Sequence, residues 1–158
     1  MSAQTDPSPS PRRLVAVVVT YNRLDKLKDT IARLLQSPAE ELAALVVVDN
    51  ASTDGTRDWL TTLQDPRLDI QVSETNRGGA GGFERGMRRA MEAHAPDWLV
   101  VMDDDGRPAP GALAAFPALP VHDDPARAWA GVAAAVYFPT RGLFAMTRPS
   151  PHPYWPRR

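Results

Sequence analysis

The sequence contains no cysteine, which excludes disulfides, zinc–thiolate sites, iron–sulfur clusters and thiol catalysis. It also has no excess of either charge, with 18 basic and 19 acidic residues and a net charge of −1, so no overall field attracts nucleic acid. The longest apolar run, Leu42–Val48, is too short to cross a bilayer, and Met1–Arg13 has no apolar signal core. The 158 residues, 43% of them hydrophobic, therefore predict one globular domain without a transmembrane segment.

Proline, by contrast, is abundant, and it is concentrated at both ends of the chain. Of the 16 prolines, those near the termini stand at alternate or nearly alternate positions: Pro7, Pro9, Pro11, Pro149, Pro151, Pro153 and Pro156. Proline in this pattern blocks both helix and central strand. We therefore expect residues 1–12 to be a disordered Pro-rich tail and residues 148–158 to be a second Pro-rich tail, with the folded domain in residues 13–147.

Four apolar or alternating runs predict strands, and a helix is predicted after each of the first three. The strands are expected at Leu14–Thr20, Leu45–Val48, Asp69–Ser73 and Trp98–Met102. This strand–helix alternation predicts an α/β fold of three layers (α/β/α) with a mostly parallel, Rossmann-like sheet.

The helices are predicted from apolar spacing and from the residues that end them. The first is expected to end near Ser37-Pro38, and the second to run from the ASTDGT turn to Asp65-Pro66. A glycine-rich turn, Arg77–Gly82, is expected to open the third. Its apolar face is predicted to hold Phe83, Met87, Ala90, Met91 and His94, with His94 as a packing residue. Further patterns predict a short helix at Pro110–Phe116 and strands at Trp129–Phe138 and Leu143–Thr147.

Polar side chains follow each of the four main predicted strands. Because the carboxyl ends of parallel strands lie at one edge of a sheet, where open α/β sheets bind ligands, we expect these segments to form one site. The segments are Thr20-Tyr21-Asn22-Arg23, Asp49-Asn50, Glu74–Gly79 and Asp103-Asp104-Asp105.

The run Asp103-Asp104-Asp105 is the sharpest of these features. Three adjacent carboxylates repel one another unless a cation lies between them, and in a loop the first and third can turn to the same side. Mg²⁺ or Mn²⁺ suits one or two carboxylates completed by phosphate oxygens. An acidic turn in water is the alternative, but the buried strand directly before the run favours a metal.

The other residues at this edge each allow two interpretations. Asp49-Asn50 could hydrogen-bond a base or ribose, or form a turn that caps the next helix. Arg23 and Arg77 could pair with a diphosphate or lie solvated at the surface. The segment Gly78–Gly82 could bring backbone N–H groups close to phosphate or permit a close helix–sheet contact. It does not match G-x-G-x-x-G, because Glu84 occupies the last glycine position.

Taken in order, these segments resemble the donor-binding half of the family-two glycosyltransferases, which have the GT-A fold. The segments that carry the resemblance are Val17–Arg23, Val47–Thr56, Asn76–Gly79 and Met102–Asp105. Two of them, extended to Asn76–Gly82 and Asp103–Pro108, look most like galactofuranosyltransferases and next like rhamnosyltransferases. The resemblance implies a transferase of cell envelope polysaccharide synthesis, in the cytoplasm or at the cytoplasmic face of the membrane.

The resemblance also implies a nucleotide-diphosphate sugar donor, UDP- or dTDP-linked, and a divalent metal, Mn²⁺ or Mg²⁺. Acids that match Asp103 and Asp105 hold this metal on the diphosphate, and Asp104 would face the donor sugar. Many relatives carry an acid at the position of Asn50, although galactofuranosyl and rhamnosyl relatives often share the asparagine. The donor-binding residues expected on this basis are Thr20, Tyr21, Asn22, Arg23, Asp49, Asn50, Arg77, Gly78, Gly79, Asp103 and Asp104.

The expected acceptor is a glycan or a lipid-linked acceptor, whose hydroxyl must be deprotonated by a carboxylate in an inverting transfer. The family places this base well beyond the aspartate motif, and Asp123 and Asp124 come too soon in the chain. We therefore expect a chain cut after the donor-binding half, with the catalytic base outside it and sugar transfer weak or absent.

Three other functions are alternatives to this one. A remnant could bind nucleotide sugar and metal without transferring the sugar. A phospho-receiver domain needs a lysine late in the sheet, whereas the two lysines, Lys26 and Lys28, stand in the first predicted helix. A nucleotidyltransferase would need a basic glycine-rich loop after the first strand, where TYNRLDK stands instead.

Overall fold

The computed structural model describes residues 12–116, together with two short strands at 137–138 and 142–143. The chain divides into two units, Met1–Leu119 and Pro120–Arg158. The predicted tails lie outside the described residues, apart from Arg12, and so do most of the two strands that were predicted after residue 128.

The first unit contains a four-stranded sheet, and the strands are β1 (Leu14–Thr20), β2 (Ala44–Asp49), β3 (Leu68–Val72) and β4 (Trp98–Asp103). All neighbouring pairs are parallel and the strand order is β3-β2-β1-β4. Every residue of β1 and β2 is buried, as their continuous β-branched and apolar runs predict. The predicted strands and the mostly parallel sheet are therefore confirmed.

The helices are α1 (Leu24–Leu35), α2 (Thr56–Thr61), α3 (Gly78–His94) and α4 (Ala112–Ala115). The sheet has one core on each face. On one side, alternate residues of β1 such as Ala16 and Val18 share a core with Leu27 of α1, Leu60 of α2 and Leu113 of α4. On the other side, the intervening residues of β1 and β2 share a core with Ala90 of α3. The three predicted layers are thus present.

The third helix begins at Gly78, so the glycines expected to form a turn lie within the first turns of α3. Gly82 is buried, and a Cβ atom there would lie 2.5 Å from Cγ1 of Val19. A Cβ atom at Gly86 would lie 2.4 Å from Cγ1 of Val17. These glycines therefore permit the close helix–sheet contact that was one of the two interpretations of this segment.

The predicted apolar face of α3 was wrong in part. Met87 and Met91 are 37% and 56% exposed, whereas the buried residues are Gly82, Gly86 and Ala90. The physical reason is the short distance between α3 and the sheet, which leaves no room for long side chains beneath the helix.

His94 was predicted as a packing residue, but it is a polar partner. Its Nε2 lies 2.9 Å from Oδ2 of Asp69, which also accepts a hydrogen bond from Arg89 Nε at 2.7 Å. Gln71 Nε2 donates to the other oxygen of Asp69 at 2.7 Å. Burial of the Asp69 carboxyl opposes its ionisation, but the hydrogen bonds from Gln71, His94 and Arg89 outweigh burial and lower its pKa.

The second helix is shorter than predicted, ending at Thr61 rather than near Asp65. The hydroxyls of Thr61 and Thr62 donate to the carbonyls of Asp58 and Trp59, each at 2.7 Å. Threonine side chains that bind nearby carbonyls in this way compete with continuation of the helix.

In the second unit, β5 (Tyr137–Phe138) and β6 (Gly142–Leu143) form a short antiparallel ladder. Within the part of the chain that the structure describes, no helix is both long enough and apolar enough to span a membrane.

Candidate functional site

The four polar segments lie at the carboxyl edge of the sheet. In register, Thr20 pairs with Asp49, and Val19 pairs with Asp103, so the ends of β1, β2 and β4 are level. The chain order of the strands reverses between β1 and β4, where such sheets form a crevice for ligands. The predicted convergence of these segments at one edge is therefore present in the structure.

The ends of β1 and β4 form a charged corner, which we define as Thr20, Arg23, Asp103, Asp104 and Asp105. Thr20 Oγ1 donates to Asp104 Oδ2 at 2.8 Å. Arg23 Nη2 donates to Asp105 Oδ2 at 2.6 Å, and its Nη1 lies 3.1 Å from Asp104 Oδ1. Arg23 thus contacts two of the three consecutive carboxylates.

The middle aspartate of this corner is turned into the protein. Asp104 is 3% exposed, and its backbone carbonyl accepts a hydrogen bond from Thr30 Oγ1 at 2.6 Å. Burial raises the pKa of Asp104, and the hydrogen bond from Thr20 and the charge of Arg23 only partly oppose that rise. Asp104 Oδ1 is buried and accepts no hydrogen bond, although Arg23 lies close to it. A contact between Asp104 and a sugar stays a prediction.

Asp103 and Asp105, by contrast, are exposed on either side of the buried Asp104. Their carboxylates are hard oxygen donors of the kind that Mg²⁺ and Mn²⁺ prefer. Among the described residues, no cluster of three or more Asp, Glu, His or Cys side chains is arranged to hold a metal. A metal here would therefore need phosphate oxygens or water as further ligands, which is the usual arrangement for Mg²⁺.

The ends of β2 and β3 form an amide corner, which we define as Asn50, Asn76, Arg77 and Gly78. Asn50 Nδ2 donates to Asn76 Oδ1 at 2.8 Å and to the carbonyl of Gly78 at 3.0 Å. Asn50 Oδ1 accepts the backbone N–H of Arg77 at 3.1 Å. Asn50 is 2% exposed, and both of its side-chain N–H groups are used in these contacts.

Asn76 and Gly78 complete the start of α3. Asn76 Oδ1 also accepts the N–H of Gly78 at 2.7 Å, and Gly78 has a φ of +68°, which glycine adopts without strain. The side chain of Arg77 is exposed, and Gly79 has open space around it. The Arg77 side chain and Gly79 therefore remain accessible to a ligand, although the Arg77 backbone N–H is held by Asn50.

Tyr21 and Asn22 follow β1 and have different surroundings. Tyr21 is 46% exposed at the edge of the sheet. Asn22, at a φ of +53°, accepts the N–H of Thr53 at 2.7 Å and donates its own N–H to Ser52 Oγ at 2.9 Å. Asn22 therefore ties the TYNR segment to the ASTDGT loop, which leaves Tyr21 as the exposed ring.

Asp49 fits the interpretation as a turn residue. It is fully buried, and its Oδ1 accepts the N–H of Ser52 at 2.9 Å. Its Oδ2 is buried without a hydrogen bond, and the nearest cation is Nε of Arg57 at 3.9 Å. A cleft of about 370 Å³ beside the loop is lined in part by Arg57 and Glu74.

Two residues that shape the site were missed from the sequence. Thr30 binds the backbone of Asp104, and the available signal was a polar side chain on the otherwise apolar face of α1. Arg57 lies closest to the free oxygen of Asp49 and donates to the carbonyl of Ser73 at 3.3 Å. No local pattern identifies Arg57, because its role depends on how α2 packs beside β2.

A comparison of the sequence with models of known protein families gives a match over most of the chain. The family model described as glycosyl transferase family 2 matches residues 15–148. The chain belongs to this family. The sequence resemblance stated above, including its GT-A fold, is thereby confirmed.

Relatives within family 2 include two curated transferases. An undecaprenyl-phosphate mannosyltransferase of Micrococcus luteus is 36% identical over 103 residues, covering 64% of this chain and 41% of that protein. Galactofuranosyltransferase GlfT1 of Mycolicibacterium smegmatis is 39% identical over 94 residues, covering 60% of this chain and 30% of that protein. The chain thus spans less than half the length of either relative.

This chain is also similar in structure to solved proteins. The mannosyltransferase PcManGT of Pyrobaculum calidifontis, in complex with GDP-Man and Mn²⁺, has a TM-score of 0.53 and 30% identity, covering 72% of this chain and 34% of that one. Residues 1–349 of TarS from S. aureus give a TM-score of 0.52 and 25% identity, covering 70% of this chain and 32% of that one.

Proposed function

We propose that this family-2 chain binds a nucleotide-diphosphate sugar through Mn²⁺ or Mg²⁺ held by Asp103 and Asp105. The sugar would be transferred to a glycan or lipid-linked acceptor. The observation that carries the proposal is the exposure of these two carboxylates at the point where the strand order reverses. The Pyrobaculum structure supports it, because that similar protein holds GDP-Man and Mn²⁺.

The donor site would be built from both corners of the sheet edge. A diphosphate beside the charged corner would lie within the reach of Arg23, and the exposed Arg77 offers a second guanidinium from the start of α3. Tyr21, 46% exposed, offers a ring on which a base can stack. We propose UDP or dTDP as the nucleotide, on the resemblance to galactofuranosyl- and rhamnosyltransferases.

The charge that develops on the leaving diphosphate is the chemical problem that this edge would solve. A bound divalent metal supplies electrostatic stabilisation of that charge. Asp103 and Asp105 hold the cation, while Thr20 and Thr30 hold Asp104 and so fix the loop from which both ligands project. We propose no residue of this chain as the base that deprotonates the acceptor.

The test is calorimetric titration of the whole chain with UDP, dTDP and GDP, in Mn²⁺ and in EDTA. We expect metal-dependent binding to UDP or dTDP. Changing Asp103→Asn together with Asp105→Asn should weaken it roughly 100-fold, or about 2.7 kcal/mol. The matched control is Asp25→Asn with Asp29→Asn, which removes two exposed carboxylates of α1, 99% and 64% exposed.

Two results would contradict the proposal. Tight nucleotide binding that persists in EDTA and in the Asp103/Asp105 double variant would remove the metal from it. Absence of binding to every nucleotide diphosphate, by a chain shown to be folded by circular dichroism, would overturn it entirely. Efficient transfer of the sugar to a glycan acceptor, with formation of the new glycosidic bond, would in addition contradict the expectation that the base lies outside this chain.

A further inference from the structure

We infer that Arg23 is a built-in counterion that occupies Asp105, one of the two proposed metal-binding carboxylates, until a nucleotide diphosphate arrives. Its guanidinium bridges Asp105, at 2.6 Å, and Asp104, at 3.1 Å. This inference rests on the proposed function, because it takes Asp105 to be a metal ligand. It goes further, since it makes metal binding depend on the donor.

Three consecutive carboxylates at one strand end require positive charge nearby. Asp104 is buried, with one carboxyl oxygen that accepts no hydrogen bond, so its charge is poorly solvated. Within the part of the chain that the structure describes, Arg23 is the cation in contact with this run. Arg23 therefore supplies to this run the positive charge that a bound metal would also supply.

The backbone of Arg23 is fixed while its side chain can leave. The preceding residue, Asn22, is held by Thr53 and Ser52, and the following N–H, of Leu24, donates to Asp54 Oδ2 at 2.9 Å. The Arg23 side chain itself is 46% exposed, and that of Asp105 is 47% exposed. A rotation of the side chain alone would therefore free Asp105 and turn the guanidinium toward solvent.

A divalent cation on Asp105 and a guanidinium at hydrogen-bond distance from the same carboxylate repel each other. A metal that binds alone must displace the Arg23 guanidinium from Asp105. The displaced guanidinium is then left without an anionic partner. A metal that arrives with a nucleotide diphosphate brings oxygens to which the displaced guanidinium can bind. Metal and nucleotide should therefore strengthen each other's binding, and this coupling is reciprocal.

The chain offers a matched control for the removal of this charge. Arg107 stands two residues after Asp105 and pairs with Asp29 on α1 at 2.8 Å, without contacting the acidic run. Arg23→Gln and Arg107→Gln remove the same charge from the same neighbourhood. Only Arg23→Gln removes the counterion of the acidic run. Because net charge changes equally in the two variants, a difference in Mn²⁺ affinity between them is not an effect of net charge.

The experiment measures binding of Mn²⁺ alone by the loss of the free-ion electron paramagnetic resonance signal. We expect Arg23→Gln to bind Mn²⁺ about fivefold to tenfold more tightly than the unmodified chain, and Arg107→Gln to differ by less than about twofold. With saturating Mn²⁺, Arg23→Gln should bind UDP or dTDP about tenfold more weakly. The coupling between metal and nucleotide should fall accordingly.

Equal Mn²⁺ affinities in the two variants would overturn the inference and leave the proposed function intact. A folded, unmodified chain that binds neither Mn²⁺ nor nucleotide would overturn both. Where Arg23→Gln does not fold, Arg23→Lys serves instead, because an ammonium is a single point of charge and cannot bridge two carboxylates as the guanidinium does. That variant should bind Mn²⁺ more tightly than the unmodified chain, and an unchanged affinity would again contradict the inference.

Discussion

The amide corner and the charged corner lie at the same edge of one sheet, yet their side chains are held in different ways. In the amide corner, Asn50 is uncharged and both of its N–H groups have acceptors in the protein. In the charged corner, Asp104 keeps a buried oxygen without a hydrogen bond, and Asp105 is held by a half-exposed arginine. The amide group of Asn50 therefore has no free N–H left for a ligand, whereas the carboxylates of the charged corner can still bind a cation.

This difference indicates that the two corners have different roles, one in shaping the site and the other in binding its ligands. A hydrogen-bonded amide network in a buried place fixes one arrangement of the chain, because any loosened partner is left unsatisfied. Half-exposed charges, such as those of Arg23 and Asp105, can exchange one partner for another at little cost. We infer that the amide corner sets the position of α3, and that the charged corner takes up and releases ions.

The largest predicted effect comes from breaking the amide corner with Asn50→Asp. The carboxylate keeps the acceptor for Arg77 but loses both donors, and it sets a buried charge against Asn76 Oδ1 and the Gly78 carbonyl. We expect the free energy of unfolding to fall by about 3 kcal/mol at pH 7, measured by denaturant titration.

Amide hydrogen exchange tests whether the loss of stability is confined to the start of α3. Amide protection around Arg77 and Gly78 should fall in Asn50→Asp, while that of β1 should remain. The control is Asn76→Asp, which keeps the acceptor for Asn50 and Gly78 and should cost less than about 1 kcal/mol. Unchanged protection in Asn50→Asp, together with an altered preference among nucleotide bases, would mean that Asn50 contacts the base instead.

A smaller effect is expected from breaking the charged corner at Thr20→Val. This change keeps the shape of the side chain but leaves Asp104 Oδ2 without its 2.8 Å donor in a buried place. We expect a loss of about 2 kcal/mol in the free energy of unfolding. Thr53→Val, at an exposed threonine, should stay within about 0.5 kcal/mol. Equal losses in the two variants would show that Asp104 does not depend on Thr20.

The smallest effect concerns Asp69, a carboxylate outside both corners that is charged and yet fully partnered. Its lowered pKa means that the folded protein releases this proton more readily than the unfolded chain does. The stabilisation is therefore complete above the ordinary pKa of 3.8 and is lost as the pH falls through and below that value.

The difference in unfolding free energy between the unmodified chain and Asp69→Asn should accordingly narrow below about pH 4. Denaturant titrations between pH 3 and pH 6 measure it, with the fully exposed Asp25→Asn as the control. A difference that widens toward low pH would mean that Asp69 has the opposite shift.

The strands and their common edge could be predicted from the sequence because the evidence for them is local. The apolar runs at Leu14–Thr20 and Trp98–Met102 mark strands to within one residue of their ends. The expectation that the strand before the acidic run is buried was wrong, because no residue of β4 is fully buried and Val101 is 49% exposed. Parallel strands separated by helices then bring Thr20, Asp49 and Asp103 to one edge without further information. The family motifs identify the same segments.

The inward turn of Asp104 and the roles of Thr30 and Arg57 could not be predicted in this way. Each depends on contacts between residues far apart in the chain, such as Thr30 and Asp104, which are 74 positions apart. Alternation along a strand predicts which face of the sheet a side chain is on. It does not predict which hydrogen-bond donor lies next to that side chain. The glycines of Arg77–Gly82 likewise predict a turn, because glycine more often indicates a turn than a tightly packed helix.

The glycines of α3 have a consequence for how donor specificity could change in this chain. The backbone of Gly86 packs directly against the sheet, with no room for a Cβ atom. Gly86 lies eight positions along α3 from Gly78 in the amide corner, which is about 12 Å of helical rise. A single added methyl group at Gly86 would push the helix away from β1 and carry the start of α3 with it. The position of Arg77 at the proposed donor site therefore depends on a residue remote from that site, so variants that alter donor preference should be sought beneath α3.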